Sequence, residues 1–218
     1  MISPDLIIFD CDGVLVDSEV LSCRCLSGTL AAYGIDLDVD QALDLFLGRS
    51  LGAVFEHYEA LGRSIPRQFV LQLKTAIRAA FRSSLAPIDG VSSVLENLRI
   101  PHCVASSSDI DRVSFSLSLT GLAPHFETRL YTSQMVERGK PEPDLFLYAA
   151  ERMQVDPHHT LVIEDSVSGV RAGKAAGMMV WGFVGGSHYQ SRDGKAMLLG
   201  AGADRVFERM ADFWPMDQ

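Results

Sequence analysis

Leu6-Ile7-Ile8-Phe9 is an unbroken apolar run that ends at Asp10, with Asp12 and Gly13 just beyond it. A strand that is apolar at every position buries both of its faces. Strands of this kind belong to parallel sheets covered by helices on two sides. In open sheets of that class, sites form beyond the carboxyl ends of the strands. The acidic pair stands at that position.

The pattern recurs along the chain. Cys103-Val104-Ala105 runs into Ser106-Ser107-Ser108, and Leu161-Val162-Ile163 runs into Glu164-Asp165. Met179-Val180-Trp181 and Arg205-Val206-Phe207 are further strand candidates, and Thr128 to Tyr131 is a weaker one. Helical spacing alternates with these runs. Pro143 to Met153 opens on a proline suited to a first turn and carries Leu145, Phe146, Ala149 and Ala150 on one face. Ser166 to Ala176 ends at Gly177, a C-terminal stop signal. Ser166 reads as a helix cap, and the serines after Ala105 as caps for a helix starting near Asp109. Gly169 and Gly173 read as points of close helix packing. The alternation predicts a doubly wound, Rossmann-like parallel α/β core.

Val20 to Leu85 is different. It has no strand-like run and repeats apolar residues at helical spacing, as in Phe69, Leu73, Ile77 and Phe81. This predicts an all-helical domain over residues 17–86, inserted into an α/β core made of residues 1–16 and 87–218.

Composition narrows the partners. The chain has 218 residues, 28 acids against 19 bases and a net charge of -9, with no basic block. A general nucleic-acid or anionic-membrane surface is disfavoured. No apolar run approaches the ~18 residues of a membrane span, and no basic stretch precedes the first apolar run, as it would in a signal peptide. The four cysteines include Cys23-x-Cys25 with no second pair to complete a zinc site, so reduced, mostly buried thiols in a cytoplasmic protein are expected. Cys11, between two aspartates, is a candidate oxidation-sensitive neighbour of the site.

The strand ends carry groups that belong together chemically. Asp10, Asp12, Glu164 and Asp165 at one mouth would repel one another. A hard divalent cation resolves that conflict, and a set of oxygen ligands suits Mg²⁺. The cation also lets a phosphate approach an acidic protein. Lys140 is one of four lysines in the chain. With the hydroxyls and amides near Ser106, it is placed to hold phosphoryl oxygens. One aspartate remains free to attack phosphorus.

Asp10-Cys11-Asp12-Gly13-Val14-Leu15-Val16-Asp17-Ser18 resembles the DxDGxLxDS signature of the haloacid dehalogenase superfamily. Ser106, Lys140-Pro141-Glu142-Pro143-Asp144 and Val162-Ile163-Glu164-Asp165-Ser166 resemble its second, third and fourth motifs, in family order. The helical insertion resembles the cap of the branch that contains β-phosphoglucomutase and sugar phosphatases. The resemblance implies a phosphoric monoester hydrolase acting on a sugar or sugar-acid phosphate. It implies Asp10 as nucleophile and Asp12 as general acid and then base. Phosphate would be bound by Ser106, Ser107 and Lys140, and Mg²⁺ by Asp10, the Asp12 backbone carbonyl and Asp165, with Glu164 in the inner or outer shell. Asp109-Ile110 stand where the mutases carry a lysine and an asparagine, which favours hydrolysis over the alternative, phosphomutase activity.

Arg49 and Glu19 are candidate substrate contacts from the inserted helices, with a surface role as the alternative for Arg49. A phospho-receiver module shares the acidic cluster, but it lacks a helical insertion and does not carry its phospho-acceptor on the first strand. His158-His159 read as solvated, and Gly182 to Gly186 as a flexible loop. A monomer acting on a small phosphorylated metabolite is the expectation.

Overall fold

The computed structural model describes residues 3–213; residues 1–2 and 214–218 of the expected core lie outside them. Six strands form one parallel sheet: β1 (Leu6–Phe9), β2 (His102–Ser106), β3 (Leu130–Thr132), β4 (Thr160–Glu164), β5 (Met179–Phe183) and β6 (Arg205–Phe207). Their order is β3-β2-β1-β4-β5-β6. The chain therefore works outward from β1 on one side and then crosses back to β4 on the other. Ile8 pairs with Cys103 on one flank and Val162 on the other, so the ends of β1 and β4 lie side by side where the winding reverses.

Ten helices accompany the sheet among the described residues. Four lie between β1 and Pro87: α1 (Glu19–Ala31), α2 (Val39–Phe46), α3 (Leu51–Ala60) and α4 (Gln68–Ser84). The others are α5 (Val91–Asn97), α6 (Ile110–Leu119), α7 (Ala123–Phe126), α8 (Asp144–Met153), α9 (Val167–Ala175) and α10 (Gly194–Ala201).

All four residues of β1 are fully buried, and each contributes on the order of 1.5–3 kcal/mol of apolar burial. Ile7 and Phe9 pack on one face with Val113, Leu117 and Phe126 of α6 and α7. Leu6 and Ile8 pack on the other with Phe146 and Ala149 of α8 and Val170 of α9. The unbroken apolar run is thus explained by two covered faces.

Helices α1 to α4 bury a cluster of their own, built on Leu26, Leu30, Leu43, Phe46, Tyr58, Phe69 and Leu73. The chain enters and leaves this layer through one narrow crossing. Val16 bridges Pro87 antiparallel, Asp17 N–H donates to Ala86 at 3.0 Å, and Ile88 N–H donates to Leu15 at 2.9 Å.

Two local readings change. Asp109, not one of the serines, caps α6, accepting from the Arg112 N–H at 2.9 Å; Ser106 Oγ instead accepts from the Ser108 N–H within the preceding turn. Gly182 lies inside β5, where an added Cβ would crowd Leu198. A small residue is needed there for α10 to pack on the sheet. Ser166 does cap α9, through the Gly169 N–H, and His158 and His159 are exposed. No helix among the described residues is long and apolar enough to cross a membrane.

Candidate active site

Asp10 follows the last residue of β1, its N–H bonded to Ile163 at 2.9 Å. The chain then turns tightly through Gly13, whose φ is +77°. A side chain there would also collide with Asp165, so only glycine satisfies both the conformation and the space. The turn returns Asp12 and Ser18 to the same neighbourhood.

Lys140 is the hub. Its Nζ donates to Asp10 Oδ1 at 2.8 Å, to Glu164 Oε1 at 2.5 Å and to the Ala105 carbonyl at 3.1 Å. Its side chain is 1% exposed, and those of Asp10 and Glu164 are 6% and 0%. The other Glu164 oxygen accepts from both the N–H and the hydroxyl of Ser166, at 2.9 Å each. Gly169 is required beside it, because a Cβ would fall on the Glu164 carboxylate.

Asp165 is buried, yet both of its carboxylate oxygens lack a hydrogen-bond partner. His188 Nε2 stands 3.1 Å from Oδ2 but is not aligned for a hydrogen bond. The Tyr189 hydroxyl donates to the Asp165 backbone carbonyl. Oxygens of Asp10, Glu164 and Asp165 lie within 4.8 Å of one another.

Electrostatics follow from this crowding. Burial pushes Asp10 well above the carboxylate range; Lys140 opposes the rise, and Glu164, Asp165 and Asp12 add to it. Burial and Glu164 do the same to Asp165. For Lys140, burial works against the cation, but Asp10 and Glu164 outweigh it and the pKa is raised. Burial lowers the His188 imidazole, against Glu19 and Asp17, which act to raise it. Four buried carboxylates thus face two cations, Lys140 and Arg112. A divalent cation would supply the missing charge, and the unpartnered oxygens of Asp165 would be ligands for it.

Asp12 is held separately. Oδ1 accepts from the Ser18 hydroxyl at 2.5 Å and from Arg112 Nη2 at 2.7 Å, and Oδ2 accepts from the Ser108 hydroxyl at 2.6 Å. Burial alone would raise its pKa, but Arg112 and the two hydroxyls prevail and lower it.

Asp10 and Asp12 line a cavity of about 470 Å³ between the strand ends and the four-helix layer, together with Ser106, Ser107, Glu19 and Arg49. Lys140, Glu164 and Asp165 lie behind this lining. Ser107 and Ser168 hydroxyls both donate to the Gly48 carbonyl of the helical layer, at 3.1 and 3.2 Å. Arg49 is exposed, follows α2, and donates to the Leu45 carbonyl in that helix. Glu19 is buried, and that burial pushes its carboxyl up to about 8. The Cys11 thiol is buried and pushed well up, the opposite of the thiolate character that oxidation requires.

The structure therefore brings together Asp10, Lys140, Glu164 and Asp165 in direct contact or close approach, with Asp12 beside them. Sequence reasoning missed Arg112, His188 and Tyr189. None of them sits in a recognisable motif, and only folding brings α6 and the loop after β5 to the site.

Comparison with known proteins agrees with this geometry. A phosphatase of phosphorylated carbohydrates from Thermotoga maritima is 31% identical over 206 residues, covering 91% of this chain and 92% of its own. A 6-phosphogluconate phosphatase from Escherichia coli is 29% identical over 189 residues, covering 84% of each. The crystal structure of a hydrolase from Deinococcus radiodurans with bound phosphate and sodium superposes with a TM-score of 0.75 at 34% identity, covering 96% of this chain and 93% of that one. Residues 7–183 match the haloacid dehalogenase-like hydrolase family, and the chain belongs to it.

Proposed function

We propose that the protein is a Mg²⁺-dependent phosphatase of small phosphorylated metabolites, of the sugar or sugar-acid phosphate class, working through a phosphoaspartate on Asp10. The observation that carries this reading is the buried contact of Lys140 with both Asp10 and Glu164 at the adjoining ends of β1 and β4. The named activities of the two phosphatase relatives supply the substrate class.

Asp10 and Asp165 would hold Mg²⁺, with the Asp12 backbone carbonyl, since the Asp12 carboxylate is occupied elsewhere. Bound there, the ion neutralises phosphoryl charge and lets an anion approach the acidic cluster. Glu164, saturated by Lys140 and Ser166, serves to aim Lys140. Lys140 fixes one Asp10 oxygen and leaves the other to attack. Ser106 and Ser107 at the end of β2 line the phosphoryl position.

An Asp10 oxygen forms a bond to phosphorus while the phosphorus–ester oxygen bond breaks, and Asp12 gives the leaving oxygen its proton. Asp12 then takes a proton from a water that attacks the phosphoaspartate, releasing phosphate and restoring Asp10. The phosphoryl charge arriving beside Asp12 raises its proton affinity, which is the change an acid needs. The four helices of residues 17–86 act as the cap that keeps bulk water from the phosphoaspartate.

The test is phosphate release from a panel of phosphorylated metabolites with purified protein. Release should require added Mg²⁺ and stop with EDTA. Asp10→Asn should lose roughly 10⁴-fold or more in kcat, as removal of a nucleophile does. A near-normal rate in that variant would remove Asp10 from the mechanism.

A further inference from the structure

Arg112 leaves the first turn of α6 and ends between the two layers. Its Nη2 donates to Asp12 Oδ1 at 2.7 Å and to the Ser22 hydroxyl at 2.9 Å. The guanidinium carbon lies 5.1 Å from the centre of the Phe81 ring. Ser22 belongs to α1 and Phe81 to α4, so two of its three partners are on the helical layer. The base of its helix is tied to the same layer, because Asp109, which caps α6, pairs with Lys74 of α4 at 2.6 Å.

An ionised carboxylate offers about four acceptor sites. On Asp12, Ser18 and Arg112 occupy Oδ1, and Ser108 occupies one site on Oδ2. The site left open is on Oδ2. The terminal torsion of an aspartate is broad and sets no preference of its own. What fixes which oxygen meets the substrate is this set of donors, and Arg112 is the charged one.

We propose that Arg112 is a positioning residue. It holds Asp12 with Oδ2 free for the leaving oxygen, and it does so through contacts that exist only while the helical layer is docked. Acid catalysis is thereby tied to docking of the layer over the substrate. The inference rests on the reading of Asp12 as the general acid.

The experiment compares kcat/KM for phenyl phosphate and 4-nitrophenyl phosphate, matched in shape but not in leaving-group need, using the full chain with Mg²⁺. Arg112→Gln should lose roughly 10²-fold on phenyl phosphate, the scale of a misplaced catalytic group. On the nitrophenyl ester the loss should be about tenfold or less, since that leaving group needs little protonation. Arg112→Lys should recover part of the phenyl phosphate rate, and Ser22→Ala should show the same split in weaker form. These two milder changes carry the test if Arg112→Gln does not fold. Equal losses on both esters, or wild-type rates on both, would overturn the proposal. Asp12→Asn separates the two levels. If it shows the split and Arg112→Gln does not, Arg112 alone is misread. If Asp12→Asn also shows none, the acid itself is misassigned and the proposal falls with it.

Discussion

On the sheet side of the cavity, ionic groups are buried and locked. Lys140 holds Asp10, Glu164 and a backbone carbonyl at once, and Arg112 and two hydroxyls hold Asp12. On the helical side the lining is Leu26, Phe46, Val54, Leu73 and Phe81, with the cations Arg49, Lys74 and Arg78 exposed at the margin. Arg49 donates to a carbonyl of the preceding helix α2, and Arg78 lies over the Phe115 ring. A site that must place charge to a fraction of an ångström needs neighbours that forbid alternatives. A surface that selects among substrates needs shape and a few movable charges. On the proposed reading, the sheet side would fix the chemistry and the helical side would choose the substrate.

The largest test of that contrast is Lys140→Met. It removes the buried partner of two carboxylates, and orphaning a buried charge costs about 3–5 kcal/mol. Unfolding by denaturant should show that loss at neutral pH. The deficit should shrink in acid, where the carboxylates that Lys140 balanced take up protons. Turnover should fall roughly 10²–10³-fold, the scale of a lost electrostatic stabiliser. A variant within about 1 kcal/mol of wild type would mean that the sheet side is not locked by charge, and the contrast would fail.

Gly48→Ala probes where the two sides meet. Gly48 has φ +68°, and a Cβ there would strike Ser166, the cap of α9. Backbone strain of this kind costs about 1–3 kcal/mol. The strain is relieved by lifting the helical layer, not by unfolding the sheet. Activity should fall about tenfold, the kinetic equivalent of 1.4 kcal/mol, while the main thermal transition moves little. A large drop in Tm with an unchanged rate would make this contact purely structural.

The same division decides what could be read from the chain. The core strands announce themselves because burial on both faces demands apolar residues at every position. The strand-end acids and the capping role of Ser166 follow from position, and Lys140 from its scarcity and the family motif that Lys140-Pro141-Glu142-Pro143-Asp144 resembles. β3 was only faintly visible, because Leu130 and Tyr131 are partly exposed at the sheet edge. Arg112 was illegible for a different reason. Its partners Asp12, Ser22 and Phe81 lie 100, 90 and 31 positions away in sequence, and nothing local distinguishes it from a surface arginine on a helix. His188 is hidden in the same way, in a loop whose glycines suggest flexibility although a Cβ on Gly186 or Gly13 would crowd its ring. Residues that act through motifs were readable; residues that act through tertiary approach were not.

The last test concerns Glu19, which opens α1 at the seam between the two sides. Burial raises its carboxyl to about 8, helped by Asp12 and Asp165 and opposed by His188 and Arg112. In the unfolded chain it titrates near its ordinary value, about 4.3. Below that pH both states hold the proton, and the group is neutral to stability. As pH rises toward 8 the unfolded chain releases the proton while the folded chain keeps it. Folding then loses ground through that window and no further above it. Glu19→Gln cannot ionise and escapes the penalty. Measured by denaturant in EDTA, the variant should therefore gain on wild type between pH 5 and pH 8 and then run parallel to it. A difference that stays flat across that range would mean that Glu19 is ionised at the seam, and the seam would then belong with the solvated helical side.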